Sequence, residues 1–185
     1  MEDQKIIELY WARNEDAIRH TADRYGQYFY AIAYNILSVR EDSEECVNDT
    51  YLDAWNSIPP HRPNVLSAFL GKITRRIALD RWRHSHAQKR GGGETALALD
   101  ELSECVASSG DVAREVETLE VAAAVQRFLN TLPDTERRVF VRRYWHMESV
   151  ADLAARFSCG QSRIKSMLHR TRGKLQKYLR EEGLV

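Results

Sequence analysis

The 185-residue sequence predicts an all-α protein: two small helical domains joined by a flexible acidic linker, the C-terminal one containing a helix-turn-helix. Three observations carry that prediction. Apolar residues recur at spacings of three and four through most of the chain, and no stretch alternates apolar and polar as a half-buried strand would. Proline and glycine are sparse and clustered, with Pro59, Pro60 and Pro63 in one loop, Pro133 alone, and Gly91, Gly92 and Gly93 in a row. The charges balance, 27 basic against 27 acidic, but they lie in blocks.

The elements follow in order. A first helix is expected over 4–14 and a second over 15–37, the latter rich in aromatics. Tyr25, Tyr28, Phe29, Tyr30 and Tyr34 there read as core residues. A polar turn precedes a third helix over 43–57, with Val47, Tyr51, Leu52, Ala54 and Trp55 at helical spacing. The loop IPPHRPN ends it, because proline lacks a backbone N–H and biases its predecessor to extended geometry. A fourth helix is expected over 66–89, with Phe69, Leu70, Ile73, Ile77 and Trp82 as its apolar side. The stretch 91–115 is the linker, with partial helix around 96–105 as a second reading. The C-terminal domain occupies 116–185, broken at Thr131-Leu132-Pro133-Asp134. No repeat of fixed period is present.

Charge placement narrows the partners. Residues 94–120 carry eight acids against the single base Arg114, whereas 160–180 carry seven bases and no acid. In the fourth helix and just beyond it, Lys72, Arg75, Arg76, Arg81, Arg83, Lys89 and Arg90 face only Asp80. Such asymmetry points to a polyanion more firmly than net charge would. Cys46, Cys105 and Cys159 are far apart and odd in number, so no disulfide framework is expected and a reduced, cytoplasmic setting fits. The N-terminus lacks a signal-peptide core, and no apolar run nears the ~20 residues needed to span a bilayer. His84 and His86 lack a third ligand nearby, so no metal and no cofactor is expected. No nucleophile–base pair or phosphate-binding glycine loop suggests catalysis.

Residues 148–179 carry the most specific pattern. Val150, Leu153, Ala154 and Phe157 fall at i, i+3, i+4 and i+7, and Ser149 with Asp152 resembles a capping box. Ser158, Cys159 and Gly160 make a turn. A second helix follows, with Ile164, Leu168, Leu175 and Leu179 inward. This is the layout of a helix-turn-helix, whose second helix enters the major groove and reaches base edges near its N-terminus. Gln161, Ser162, Arg163, Lys165 and Ser166 are candidate base readers. His169, Arg170 and Arg172 are candidate phosphate contacts, which position without specifying. A solvated basic helix that only packs against its neighbour is the alternative. Repulsion of a few tenths of a kcal/mol per close like-charge pair weighs against it.

LPDTERRVFVRRYWHMESVADLAARFSCGQSRIKSMLHRTRGKLQKYL, residues 132–179, resembles the C-terminal DNA-binding region of extracytoplasmic-function (ECF) sigma factors. That region reads LPxxxRxVFxLRxxxGxSxxEIAxxLGxSxGTVKSRLHRARxxL. Leu132, Pro133, Arg137, Val139, Phe140, Ser149, Ala154, Lys165, Ser166, Leu168, His169, Arg170, Arg172 and Leu175 stand at matching positions. Independently, DSEECVNDTYLDAW (42–55) is similar to the family's DAEDLVQETFLRAW, and FLGKITRRIALDRWR (69–83) to WLYRIARNLAIDRLR. Asn48-Asp49 replaces Gln-Glu, Phe69 replaces Trp, Gly71 a larger residue, Ser158 a turn glycine and Met167 an arginine.

The resemblance implies a non-catalytic promoter-specificity subunit. Its first domain, 1–90, would bind the clamp helices of the largest subunit of core RNA polymerase, with Glu45, Asn48 and Asp49 as contacts. It would also capture single-stranded promoter DNA at the −10 element, through Arg62 and Asn64 in the loop and Lys72, Arg75, Arg76 and Arg83 on the fourth helix. The second domain would read the −35 duplex. An anti-sigma factor is a further implied partner; no membrane is. Two rivals stay open: a stand-alone helix-turn-helix regulator, and an interaction protein whose acidic and basic blocks pair with other proteins.

Overall fold

The computed structural model describes residues 1–86, 93–106 and 114–184. Every regular element among them is an α-helix. The chain divides into two compact units, Met1–Gly91 and Gly92–Val185.

The first unit holds α1 (Asp3–Trp11), α2 (Asp16–Leu37), α3 (Arg40–Ser57) and α4 (Leu66–His86). Helices α2, α3 and α4 pack mutually, and α1 lies on α2. Ile6, Ile7, Tyr10, Phe29, Ile58, Leu66 and Leu70 are fully or almost fully buried at the centre. Helix α2 ends where Ser38 turns left-handed (φ 57) and its N–H caps the Tyr34 carbonyl at 2.8 Å. Helix α3 begins three residues before the sequence-based boundary, with Glu41 and Asp42 in a first turn that favours acids. Residues 87–89, expected to extend α4, lie outside the described residues. Gly71 sits where an added Cβ would lie 2.7 Å from the Tyr28 hydroxyl, so its helix-propensity cost permits a close α2–α4 approach.

One core assignment needs correction. Tyr34 is 45% exposed and stacks on half-buried Tyr30 instead of entering the core. It lies about 140° around α2 from Phe29 at 100° per residue, whereas Ile32, Ala33 and Ile36 stay within about 60°. Leu52 is 61% exposed, for the same reason: the buried face of α3 runs through Ser43, Val47, Thr50 and Ala54. Trp82 is half-buried and outside the buried core.

The second unit holds α5 (Gly93–Val106), α6 (Arg114–Thr131), α7 (Asp134–Tyr144), α8 (Val150–Arg156) and α9 (Gln161–Glu181). Helix α9 is its hub and touches all four others. Ile164, Leu168, Thr171, Leu175 and Leu179 form one buried stripe along it, opposed by Leu153, Phe140, Val139 and Phe128. Residues 93–106 belong to the stretch expected as a flexible linker. They form α5, as the second reading of helix around 96–105 anticipated, and pack on α7 and α9, where small Thr95 and Ala98 are buried. The glycine-and-acid composition hid those two positions. Residues 107–113 lie outside the described residues.

Ser149 caps α8 as its spacing predicts. Its Oγ accepts from the Asp152 N–H at 3.1 Å and donates to Asp152 Oδ2 at 2.7 Å. Between α8 and α9, Ser158 holds φ 49, a conformation in which a Cβ is strained by about 1–2 kcal/mol. Ser158→Gly is therefore expected to stabilise the second unit by about 0.5–1 kcal/mol, after glycine's larger unfolded-state entropy is subtracted. Slower amide exchange in α8 and α9 would register it; faster exchange would contradict it.

Candidate nucleic-acid interface

Gly160 is the N-cap of α9, with an extended backbone and an open Cβ position. With no acid in its first turn, its first N–H groups and their dipole face outward beside cations. Gln161, Ser162, Arg163, Lys165, Ser166, His169 and Arg170 are all exposed. Among the described residues, Arg163, Lys165 and Arg170 make no ion pair, in a protein whose surface cations are otherwise widely paired. Unpaired cations near a helix N-terminus are disfavoured by about 0.3–1 kcal/mol each, a penalty that a bound anion removes.

Arg172 behaves differently from the other expected phosphate contacts. It is only 17% exposed, and its Nη1 lies 3.2 Å from Glu101 of α5 and donates to the Tyr144 hydroxyl at 2.7 Å. Burial keeps the Tyr144 phenol neutral and pushes its pKa up, so the hydroxyl in turn donates to Glu101 at 2.9 Å. Beside this group Arg143, on α7, is fully buried. Its Nη1 donates to Glu94 Oε2 at 2.8 Å and to the Glu148 carbonyl at 3.1 Å. Glu148 receives Arg142 at 2.5 Å and Arg156 at 3.0 Å, which fixes the corner between α7 and α8. A cleft of about 450 Å³ separates α5 from the starts of α8 and α9.

In the first unit, Lys72, Arg76 and Arg83 share the face of α4 opposite the core, within about 40° of one another. All three are exposed. Arg76 bonds Asp53 of α3, Arg83 pairs with Asp80 at 3.2 Å, and Lys72 has no ion pair among the described residues. Arg75 turns partly inward, and burial pulls its guanidinium down to about 10. In the loop before α4, Asn64 is exposed, while Arg62 stacks over Trp11 at 5.6 Å and lies 3.9 Å from Glu8.

On α3, Glu45 and Asn48 are exposed and Asp49 is half-buried. Arg81 of α4 bridges the two carboxylates, at 2.7 Å to Glu45 and 2.5 Å to Asp49. Its hydrogen bond and charge hold the Glu45 carboxyl below the usual range. Leu52 continues this face at i+7, i+4 and i+3 from Glu45, Asn48 and Asp49. Sequence reasoning missed both Arg81 and Leu52 as members of the patch. The helical period already separated Leu52 from the buried side of α3, whereas nothing local announced Arg81, 32 residues from Asp49.

Cys46 is buried and its thiol is pushed up to about 12 by that burial, so it serves as a core side chain. Among the described residues no cluster of His, Cys, Asp and Glu could hold a metal, and no helix is long and apolar enough to cross a membrane.

Two helical units, each carrying a row of exposed cations along one helix, define a helical nucleic-acid-binding protein. Comparison with known proteins narrows that class. The family described as ECF sigma factor matches residues 45–181, most of the chain, and the chain belongs to it. It is a sigma factor of the sigma-70 superfamily, not an enzyme, and directs RNA polymerase to promoters. It is 25% identical over 171 residues to the ECF RNA polymerase sigma factor SigW of Bacillus subtilis, covering 91% of each chain. It is 22% identical over 165 residues to the ECF RNA polymerase sigma factor SigE of Mycolicibacterium smegmatis, covering 89% of this chain and 61% of that one.

Proposed function

We propose that the two units divide the promoter between them. The second unit reads the −35 element as duplex, with α8 and α9 acting as a helix-turn-helix. Gln161, Ser162, Arg163, Lys165 and Ser166 meet base edges, and His169 and Arg170 hold phosphates. The first unit captures the unpaired −10 strand along Lys72, Arg76 and Arg83, with Asn64 and Arg62 at the loop. It docks on the clamp helices of the largest polymerase subunit through Glu45, Asn48 and Asp49, with exposed Leu52 as the apolar anchor of that patch. An anti-sigma factor is the kind of protein that would cover these surfaces in an inactive state; no residue is assigned to it.

The single observation that carries the reading is the acid-free, outward N-terminal half of α9, whose cations find no partner among the described residues. Arg172 and Arg75 are weaker members of the set, because the first is engaged by Glu101 and Tyr144 and the second faces partly inward. Two small contact surfaces gain affinity together only on a scaffold that holds both, so duplex binding by the free protein is expected to be weak. In vitro transcription with purified core polymerase tests this. Promoter-specific transcripts that vanish when the protein is omitted are expected. Duplex binding without any such transcript from genomic fragments, with the polymerase shown to be active, would favour a stand-alone regulator.

A further inference from the structure

Helix α5 lies across the face of the second unit that the −35 reading needs, and its chemistry is that of a competitor for DNA. Its sequence, GETALALDELSECV, holds four acids and no base. Glu94, Leu97 and Glu101 form one wall of the cleft beside α9, and Gln161, Lys165, His169 and Arg172 form the other. Those four α9 residues are spaced i, i+4, i+8 and i+11, a single line along the helix. The line includes two residues assigned above to base reading and two to phosphate contact.

The anchoring of α5 is electrostatic more than apolar. Among its described side chains only Thr95 and Ala98 are buried, and Leu97 is 49% exposed. Its carboxylates instead take up two arginines: Glu94 pairs with Arg143 at 2.8 Å, and Glu101 with Arg172 at 3.2 Å and with Arg143 at 3.8 Å. A carboxylate facing a guanidinium occupies the place that a phosphate oxygen would take in a DNA complex. Duplex DNA carries one charge per about 1.7 Å of axis, so phosphates cannot approach this line while the α5 carboxylates stand opposite. A helix held by few apolar contacts and by partly exposed ion pairs is readily displaced.

We propose that α5 is an acidic strap that covers the DNA-facing line of α9, and that duplex DNA and α5 bind this line in alternation. The strap sets a threshold against unproductive DNA binding by the free protein, and displacement of α5 releases Arg172 and removes the acidic wall that faces exposed Lys165 and His169 across the cleft. This inference rests on the −35 reading of α9.

The test uses the full chain with Glu94→Gln and Glu101→Gln combined, which removes the ionic anchors and keeps the helix. Affinity for a labelled mixed-sequence DNA duplex is measured by anisotropy at low salt, and amide exchange of α5 is measured with and without that duplex. The Gln variant is expected to bind about tenfold tighter, within the usual range of coupling between competing contacts. Amides of α5 in the unaltered chain are expected to lose protection as duplex is added. Equal affinities, or α5 amides that stay protected in saturating duplex, overturn the strap. A third chain, with Arg163→Glu added to the Gln pair, separates the two levels. If that change lowers affinity while the Gln pair alone left it unaltered, the strap fails and α9 remains the DNA surface. If it leaves affinity unaltered as well, the −35 reading fails and takes the strap with it.

Discussion

Combining Arg163→Glu with Lys165→Glu is expected to lower the affinity of the second unit for its promoter duplex by about a hundredfold, while leaving the fold at least as stable. Each cation that meets a base edge or phosphate contributes about 1–3 kcal/mol, and two such losses amount to two powers of ten. The log–log dependence of binding on salt should also become shallower, since reversing two charges at the interface reduces the counterions released on binding. Stability moves the other way. Residue 163 is the third of α9 and residue 165 the fifth, and acids near a helix N-terminus interact favourably with its dipole. Loss of binding together with an unchanged or raised melting temperature separates an interface role from a structural one. Unchanged binding would remove the start of α9 from the interface. The single Arg163→Ala variant sharpens the assignment: it should change the preferred −35 sequence, not weaken all sequences alike.

Arg143→Ala should destabilise the second unit by about 3 kcal/mol, the largest stability effect expected of any charged position in the chain. Arg143 is completely buried, and its removal opens a cavity, orphans the Glu148 carbonyl and strips Glu94 of its partner. Arg143→Met is the informative companion. Nε and Nη2 of Arg143 have no hydrogen-bond partner among the described residues, so its hydrogen-bonding capacity is only partly satisfied. A methionine fills most of the volume but leaves Glu94 and the Glu148 carbonyl without their donor, so it should recover only the cavity part of the loss, about 1–2 kcal/mol. Chemical denaturation of the three chains, followed by amide exchange in α7 and α9, distinguishes the possibilities. A methionine variant as unstable as the alanine one would mean that the guanidinium itself, not its volume, holds the corner together.

Legibility in the sequence varied with the range of the interaction. The inward stripe of α9 through Ile164, Leu168, Leu175 and Leu179, and the Ser149 cap of α8, depend on neighbours within a few turns, and spacing exposes them. The same period placed Arg143 between Val139, Phe140 and Tyr144 on the buried side of α7, a signal that was present but masked by the adjacent Arg142. Tyr34 was misassigned because its residue type suggested core while its angular position did not. Neither Arg81 reaching Glu45 and Asp49 nor Glu94 reaching Arg143 across 49 residues leaves a local mark.

The amino-acid sequence alone therefore determined the helical class, the order of the elements apart from α5, and the basic character of α9, which carries no acid before Glu181. These follow from periodicity, capping and charge counts, which act over one or two turns. It also carried the family, through motifs of contiguous residues. Only the tertiary structure decided which charges are spoken for. Arg163, Lys165 and Arg170 are left without an acid among the described residues, while Arg172 is held by Glu101, and Glu45 and Asp49 are held by Arg81. The physical reason is that an ion pair depends on separation in space, and the packing of α5 on α9 and of α3 on α4 brings together charges that lie tens of residues apart in the chain.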